Sequence, residues 1–166
     1  MECGTITPRP QPGNERPRIF RLLEDEALIN RLGFNNQGQD ALLQRFDQRP
    51  KQGIVGINLG KNKDTPNEKA AEDYQRLLTA VWHTASYVVV NISSPNTPNL
   101  RELQEKSALQ RLLDSLLQAA QELQLQHPRK LPILLKIAPD LSDEALRDLL
   151  EVVRQFPLAG LIATNT

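Results

Sequence analysis

Side chains that can form hydrogen bonds follow almost every apolar run in this sequence, and their types suit a binding or catalytic site. They are Thr5, Asn58, Asn91 with Ser93 and Ser94, Lys136, and Thr164 with Asn165 and Thr166. Amides and hydroxyls can hold a polar ligand, and a lysine can stabilise a negative charge. The alternative is that Ser, Asn and Thr stand here because they favour turns and helix caps. Agreement among five run ends favours a shared site.

Five short apolar runs precede these residues and are predicted to be strands. The runs are Cys3–Thr7, Gly53–Asn58, Tyr87–Asn91, Pro132–Ile137 and Gly160–Thr164. Short runs that are apolar on both faces are typical of a parallel sheet covered on both sides. Because the carboxyl ends of parallel strands form the functional face of such folds, the polar residues are expected to converge there.

Amphipathic segments between the runs are predicted to be crossover helices. Apolar residues recur at helical spacing in three sets: Tyr74, Leu77, Leu78 and Val81; Leu109, Leu112, Leu113, Leu116 and Leu117; Leu146, Leu149, Leu150 and Val153. The start of the first helix is predicted from Thr65 to Glu68, with Thr65 as the cap and Pro66 at the first helical position. Alternating strands and helices indicate a parallel α/β sheet, and periodicity leaves both an open doubly wound sheet and a barrel possible.

A proline-rich segment interrupts this alternation near the N-terminus. The stretch Thr7–Asn14 holds three prolines and a glycine, which neither a central strand nor a helix start accommodates. It is predicted to be an inserted loop or hairpin that continues to Leu22.

Lys136 and the loop Asn91–Pro98 are the most informative individual features. A lysine within an apolar strand must be paired or face a ligand, so the alternatives are an ion pair with Asp140 and contact with an anionic cofactor or a developing negative charge. The prolines of the loop would fix a serine against a substrate. Because a serine hydroxyl is a poor base by itself, a catalytic serine needs a water-excluded pocket or a proton relay.

Composition excludes several classes of partner. The 166 residues are 39% hydrophobic and 24% charged, with 20 basic and 20 acidic side chains, as in one ordinary globular domain. The balanced charge gives no reason to expect nucleic acid or an anionic membrane surface as a partner. The lone Cys3 excludes an internal disulfide, and a reducing compartment fits best. His83 and His127 lack metal-spaced partners, so no metal is expected.

Six motifs, in this order and spacing, resemble those of the class 2, quinone-dependent dihydroorotate dehydrogenases. They are Gly4–Asn14, Ile29–Asn36, Gly56–Lys63, Asn91–Pro98, Lys136–Leu141 and Ala163–Thr166, and the similarity runs over essentially the entire chain. The resemblance implies a partial (β/α)8 TIM barrel, with about five of the eight strands and the inserted Pro-rich hairpin or loop. It also implies oxidation of (S)-dihydroorotate to orotate, with FMN as the hydride acceptor and a quinone as the electron acceptor, in de novo pyrimidine (UMP) biosynthesis.

The resemblance also implies a role for individual residues. Ser94 matches the base, and serine rather than cysteine favours the quinone-linked class. The positions that resemble flavin contacts are Thr5, Asn58, Asn91, Lys136 and Thr164. Those that resemble substrate contacts are Asn30, Arg31, Leu32, Gly33, Phe34, Asn91, Asn96, Asn165 and Thr166. The alternative of another flavin barrel with a different substrate is disfavoured by Asn30, Asn91, Asn96 and Asn165.

Residues 1–166 are expected to form one partial barrel domain, truncated at both ends. The resemblance places membrane-docking helices, a first strand and a substrate-gripping lysine before Gly4, and places flavin-phosphate loops after Thr166. The full enzyme is expected to be a peripheral membrane protein, on the cytoplasmic face of a bacterial membrane or on the mitochondrial inner membrane, and this chain alone to be soluble. The alternative is a non-catalytic fragment of that enzyme, inactive without the missing strands.

Overall fold

A parallel five-stranded sheet is the framework of the protein, which a computed structural model describes over residues 1–48 and 53–163. The strands in chain order are β1 (Glu2–Ile6), β2 (Ile19–Leu22), β3 (Ala27–Asn30), β4 (Gly56–Leu59), β5 (Tyr87–Asn91), β6 (Ile133–Lys136) and β7 (Gly160–Ile162). The helices are α1 (Gly38–Asp47), α2 (Ala70–Val81), α3 (Lys106–Gln126) and α4 (Asp143–Val153). The sheet order β1-β4-β5-β6-β7 places one strand in each predicted apolar run, so the strand predictions are confirmed.

The core lies between this sheet and the crossover helices. Every residue of β4 is buried, and β5 is buried from Val88 to Asn91, which explains why these runs are continuously apolar. All the predicted apolar positions of α2 and α3 are buried. In α4 one predicted core position is wrong, because Leu146 is 36% exposed whereas Leu149 and Val152 are fully buried.

The proline-rich insertion leads into a separate antiparallel hairpin, as predicted. Strands β2 and β3 pair from Ile19 with Asn30 to Leu22 with Ala27. The hairpin leaves large apolar side chains exposed, among them Phe20, Leu23 and Ile29. The chain then returns towards the sheet, where a bridge between Gln11 and Asn36 joins the two ends of the insertion.

The predicted cap of the first crossover helix is wrong. Helical structure starts with a short 3-10 helix, Asn67–Lys69, that has no side-chain cap, and α2 follows it directly. The backbone before it is set by Lys61, whose buried ammonium donates to the carbonyls of Asn62 and Thr65. A side-chain cap does occur at α4, where Ser142 Oγ accepts from the amide of Ala145 at 3.2 Å.

The sheet is open across the described residues. Strands β1 and β7 each pair with a single neighbour, β4 and β6 respectively, so no closed barrel forms. In the part of the chain that the structure describes, no helix combines the length and apolarity needed to cross a membrane.

Candidate functional site

A cavity of about 370 Å³ opens at the carboxyl ends of β1, β4, β5 and β6. Most of the predicted site residues line it: Thr5, Asn30, Leu32, Gly33, Phe34, Asn58, Asn91, Ser94, Asn96 and Lys136. Arg31 does not line it, because its guanidinium donates to the Pro17 carbonyl on the hairpin side. Thr164, Asn165 and Thr166 lie outside the described residues. The volume is at the small end of the range of about 300–1,000 Å³ that is typical of ligand pockets.

Three side chains on neighbouring strands form a hydrogen-bonded triangle at the cavity wall. Thr5 Oγ1 donates to Asn58 Oδ1 at 2.7 Å. Asn91 Nδ2 donates to both Thr5 Oγ1 and Asn58 Oδ1, each at 3.0 Å. The sheet produces this arrangement because β1, β4 and β5 are adjacent and parallel, so their last polar residues meet at one edge.

Glu2 and Ser93 orient the two amides of this triangle. Glu2 Oε1 accepts from Asn58 Nδ2 at 2.9 Å, which leaves Asn58 Oδ1 to face its neighbours. Ser93 donates to Asn91 Oδ1 through both its amide, at 3.1 Å, and its hydroxyl, at 2.8 Å. Since the oxygen and nitrogen of each amide have different partners, neither side chain can flip without losing hydrogen bonds.

Helix α2 fixes the backbone of Asn91 through the side chain of Tyr74. The Tyr74 hydroxyl donates to the Asn91 carbonyl at 2.9 Å. Burial, with a smaller contribution from the nearby Asp73, raises the pKa of Tyr74 well above its ordinary value. The phenol is therefore protonated at neutral pH and donates this hydrogen bond.

The Ser94 hydroxyl lies at the cavity edge in the loop after β5. Ser94 is 8% exposed, and its Oγ accepts from the amide of Asn96 at 3.2 Å. That contact leaves the hydroxyl proton and a lone pair available to a ligand. The Asn96 side chain donates to the Asn30 carbonyl at 3.4 Å, which joins this loop to the end of β3.

Lys136 presents an uncompensated charge to the cavity. It is half-buried at the end of β6, and within the described part of the chain its ammonium makes no ion pair or hydrogen bond. The alternative of an ion pair with Asp140 is wrong, since Asp140 Oδ2 accepts from Arg101 Nη1 at 2.9 Å. That hydrogen bond holds the pKa of Asp140 below its ordinary value.

The segment 30–36 forms the opposite wall and is held by amide side chains. Asn14 Nδ2 donates to the carbonyls of Arg31 and Asn96, both at 3.1 Å. Phe34 has a positive φ of 55°, which is strained for a bulky residue, and Asn36 Nδ2 donates to its carbonyl at 2.7 Å. The wall is thus held in place by Asn14 and Asn36, two side chains that do not line the cavity.

Two glycines allow the backbone to approach closely beside Thr5. Gly4 has a φ of +116°, and a Cβ there would lie 2.6 Å from the Asn58 carbonyl oxygen. A Cβ on Gly60 would lie 2.4 Å from Thr5 Cγ2. A larger residue at Gly60 would press on Thr5, and one at Gly4 would press on the backbone of Asn58.

A second cavity, of about 1,170 Å³, lies between β1 and α1 and is mainly apolar. Thr5 is the only predicted site residue among those that line it in the described chain.

His83 and His127, which are exposed and distant in sequence, have their rings in edge contact, with centroids 4.5 Å apart. Within residues 1–48 and 53–163 no group of three or more His, Cys, Asp or Glu side chains is placed to hold a metal ion.

Comparisons with known proteins agree over the whole length of the chain. The family model described as "Dihydroorotate dehydrogenase" matches residues 1–166. The chain belongs to the dihydroorotate dehydrogenase family. It is 54% identical over 166 residues to "Dihydroorotate dehydrogenase (quinone)" of Stutzerimonas stutzeri (strain A1501), and 54% identical to the protein of the same name in Christiangramia forsetii.

Solved structures of the same family share the fold. Ligand-free DHODH from Eimeria tenella superposes with a TM-score of 0.89 at 40% identity, over 99% of this chain and 51% of that one. DHODH from the same organism in complex with ferulenol gives a TM-score of 0.88 at 38% identity. The prediction of a partial TIM barrel is thereby confirmed. The chain spans about half the length of the relatives it matches, 48% for the Stutzerimonas stutzeri protein.

Several polar residues of this family member escaped sequence reasoning. Glu2, Gln11 and Asn14 lie at no carboxyl end of a strand of the sheet, and each acts through partners that are distant in sequence. The Thr97 hydroxyl is buried and has no hydrogen-bond partner in the described chain, but Thr97 does not line the cavity. Lys61, only 2% exposed, is structural, and burial lowers its pKa despite the nearby carboxylates. The one available signal was the clustering of Asn and Gln around the prolines of the insertion.

Proposed function

We propose that residues 1–166 form part of an FMN-binding barrel domain that oxidises dihydroorotate to orotate in pyrimidine biosynthesis. The observation that carries the proposal is the single cavity that brings together Ser94, Lys136, which has no partner among the described residues, and the amides of Asn30, Asn58, Asn91 and Asn96. A hydroxyl, a cation and several amides around one small cavity suit a planar ring that loses a proton and a hydride. Membership of the dihydroorotate dehydrogenase family supports the same reaction.

The side chains present fit a flavin. Flavin carries a pyrimidine edge with alternating N–H and C=O groups, and amide side chains offer both donors and acceptors to such an edge. Asn58 retains one amide hydrogen that is not used within the triangle, and the Lys136 ammonium has no partner in the described chain. We expect Thr5, Asn58, Asn91 and Lys136 to hold FMN, together with Thr164 from outside the described residues.

The substrate is expected to bind against the other wall of the cavity. Asn30, the segment from Leu32 to Phe34, and Asn96 surround the space beside Ser94, and Asn91 borders both expected ligands. Arg31 belongs to the proposed substrate set by its place in this segment, although its guanidinium donates to the Pro17 carbonyl. Asn165 and Thr166 complete the proposed set from outside the described residues. Dihydroorotate is a cyclic imide, so amide side chains match its ring polarity in the same way as they match the flavin edge.

Ser94 is the proposed base. FMN, when bound, supplies the hydride acceptor. Ser94 Oγ would take the ring proton while its own hydroxyl proton passes to solvent through a water relay, and its contact with the Asn96 amide fixes the direction in which the oxygen points. A serine hydroxyl is a weak base, and the small exposed fraction of Ser94 favours the reaction by limiting competing water.

Lys136 would stabilise the negative charge that accumulates at the cofactor side of the cavity during hydride transfer. Because Lys136 makes no ion pair within the described part of the chain, no such pair there has to be broken during hydride transfer. The relatives are named as quinone enzymes, which supports a quinone as the final electron acceptor and association with a membrane in the complete protein.

A second candidate is a chain that keeps this pocket but does not turn over dihydroorotate unaided. The open sheet favours it, because β1 and β7 have one strand neighbour each in the described chain and a closed barrel of this kind has eight strands. Unpaired strand edges also favour association with other chains.

The flavin absorbance spectrum of the purified chain tests both candidates. The chain is mixed with FMN, freed of excess cofactor, and treated with dihydroorotate in the absence of oxygen. Bound flavin that bleaches supports the proposed reaction. Bound flavin that stays yellow supports the second candidate, and a chain that never retains flavin contradicts FMN binding by these residues in this chain.

A further inference from the structure

A short 3-10 helix, Leu100–Gln104, connects the Ser94 loop to α3 and is anchored in the core. Leu100 is fully buried and Leu103 is 3% exposed, so the helix cannot shift without disturbing packing. Two of its polar side chains contact neighbouring loops. Arg101 contacts the loops after β5 and β6, and Gln104 contacts the loop after β6.

Arg101 contacts both of the loops that carry the proposed chemistry. Its Nε donates to the Ser93 carbonyl at 3.1 Å, directly before Ser94. Its Nη1 donates to Asp140 Oδ2 at 2.9 Å, in the loop that follows Lys136. A guanidinium is a rigid planar fork, so these two contacts hold the loops at a fixed separation.

Gln104 supports the second of these loops from the interior. Its Oε1 accepts from the amide of Ala138 at 2.8 Å, and the Gln104 side chain is almost fully buried. The loop after β6 is therefore held at two points by one rigid helix. Arg101 is the member that also reaches the Ser94 loop.

Arg101 also determines the partner of Asp140. Asp140 lies four residues after Lys136 and is the carboxylate that the sequence offers as a partner for that lysine. In the structure its carboxylate faces Arg101, and Lys136, which lines the cavity, has no ion-pair partner among the described residues. An exposed ion pair of this kind contributes little to the free energy of folding, so its main effect here is on the position of the Asp140 carboxylate.

We propose that Arg101 is a positioning residue for the proposed reaction: it fixes the Ser94 loop relative to the end of β6 and keeps Asp140 away from Lys136. This inference rests on the proposed function. It assigns no contact between Arg101 and substrate or cofactor.

The test compares Arg101→Met, Arg101→Lys and the double variant Arg101→Met with Asp140→Asn. Lys106→Met is the control, because it removes other exposed ion pairs, with Asp148 and Glu151, at a residue that does not line the cavity. In the FMN-loaded chain we expect Arg101→Met to lower the rate of flavin reduction by about tenfold to a hundredfold, the scale of a small misplacement, with FMN affinity within about twofold. Arg101→Lys should be intermediate, and the double variant should recover part of the rate because the freed carboxylate is gone.

NMR of the flavin-free chain separates this inference from the proposed function. Loss of Arg101 should move the amide resonances of residues 93–96 and return the Asp140 carboxyl titration towards its ordinary position, whether or not the chain is active. Unmoved resonances, or an unchanged rate in an active Arg101→Met variant, would overturn the inference. A wild-type chain that never reduces flavin contradicts the proposed function alone, and a double variant as slow as the single one would overturn the role assigned to Asp140.

Discussion

Asn91 donates a side-chain hydrogen to Asn58 Oδ1 across the adjacent ends of β5 and β4, at 3.0 Å. Its second amide hydrogen goes to Thr5 Oγ1, so both donors of Asn91 are in use. A ligand that binds the Asn91 amide must therefore replace one of these bonds. The donors and acceptors of the site form one continuous chain of hydrogen bonds, which runs from Ser93 through Asn91 and Asn58 to Glu2.

The first prediction concerns the donors of Asn91. Asn91→Asp removes both hydrogen bonds and places a carboxylate against Asn58 Oδ1, so we expect the free energy of unfolding to fall by about 1–3 kcal/mol. Urea unfolding of the flavin-free chain measures this. Gln124→Glu, the same change on an exposed helix surface, should have little effect. Equal stability of the two variants would contradict the triangle as a buried, fully paired network.

Ser94→Ala tests the proposed base. We expect dihydroorotate-driven bleaching of bound flavin to slow by about 10²- to 10⁴-fold, the usual contribution of a positioned base, because the other hydroxyl that lines the cavity in the described chain, that of Thr5, donates to Asn58. FMN affinity should stay within about twofold, since Ser94 is not among the proposed flavin contacts. Ser107→Ala, at an exposed position in α3, serves as the control. A bleaching rate that survives in Ser94→Ala would rule out this serine as the base.

The elements of the fold follow from the sequence because burial on both faces leaves continuous apolar runs, as in β4 and β5. The convergence of Asn58, Asn91 and Lys136 follows too, since parallel strand ends meet at one edge. The partner of Asp140 cannot be predicted from the sequence, because Arg101 lies 39 positions away and the four-residue spacing to Lys136 suggests an ion pair with that lysine instead. The bridge from Asn14 to Asn96, 82 positions apart, depends on how the insertion folds back, which no local pattern encodes.

Lys136→Met tests the role of the free cation. Without the fixed charge, reduced flavin loses a stabilising interaction, so we expect the midpoint potential of the bound flavin to fall by about 30 mV or more, where 30 mV equals about 1.4 kcal/mol for a two-electron couple. Spectroelectrochemical titration measures the potential. Lys130→Met, which removes an exposed lysine, provides the control. A potential that does not move would place the charge of Lys136 outside the reach of the flavin.

A fourth prediction concerns acid stability and the pair of Lys106 and Glu151. The Lys106 ammonium donates to Glu151 Oε2 at 2.6 Å and lowers the pKa of Glu151 from its ordinary value of 4.5. A carboxyl whose pKa is depressed by folding stabilises the protein above its unfolded pKa and loses that effect as the pH falls through the folded pKa. The difference in unfolding free energy between wild type and Glu151→Gln should therefore be small at neutral pH and shrink below about pH 4.5.

Urea unfolding between neutral pH and pH 3 measures this difference. Glu24→Gln, at an exposed position in the hairpin turn, is the control, because Glu24 has no charged partner in the described chain. A difference that stays constant as the pH falls would show that the ion pair is not formed in solution.

The last prediction concerns Asn14, which joins the two walls of the substrate side of the cavity. Its amide hydrogens go to the carbonyls of Arg31 and Asn96, and its Oδ1 accepts from Lys63 Nζ at 3.3 Å. Each of the two wall contacts is worth about 1 kcal/mol, so their loss in Asn14→Ala should weaken orotate binding by about tenfold or more, where 1.4 kcal/mol is one factor of ten. FMN affinity should stay within about twofold, because Thr5 and Asn58 are untouched.

Calorimetric titration of the FMN-loaded chain with orotate measures the loss, and Gln121→Ala on the exposed face of α3 is the control. Asn14→Asp should bind orotate more weakly than Asn14→Ala, since a carboxylate would face two carbonyl oxygens that now lack donors, and its attraction to Lys63 cannot restore them. If Asn14→Asp bound orotate as tightly as wild type, the walls would be held by the backbone bridge between Gln11 and Asn36 instead of by the Asn14 amide.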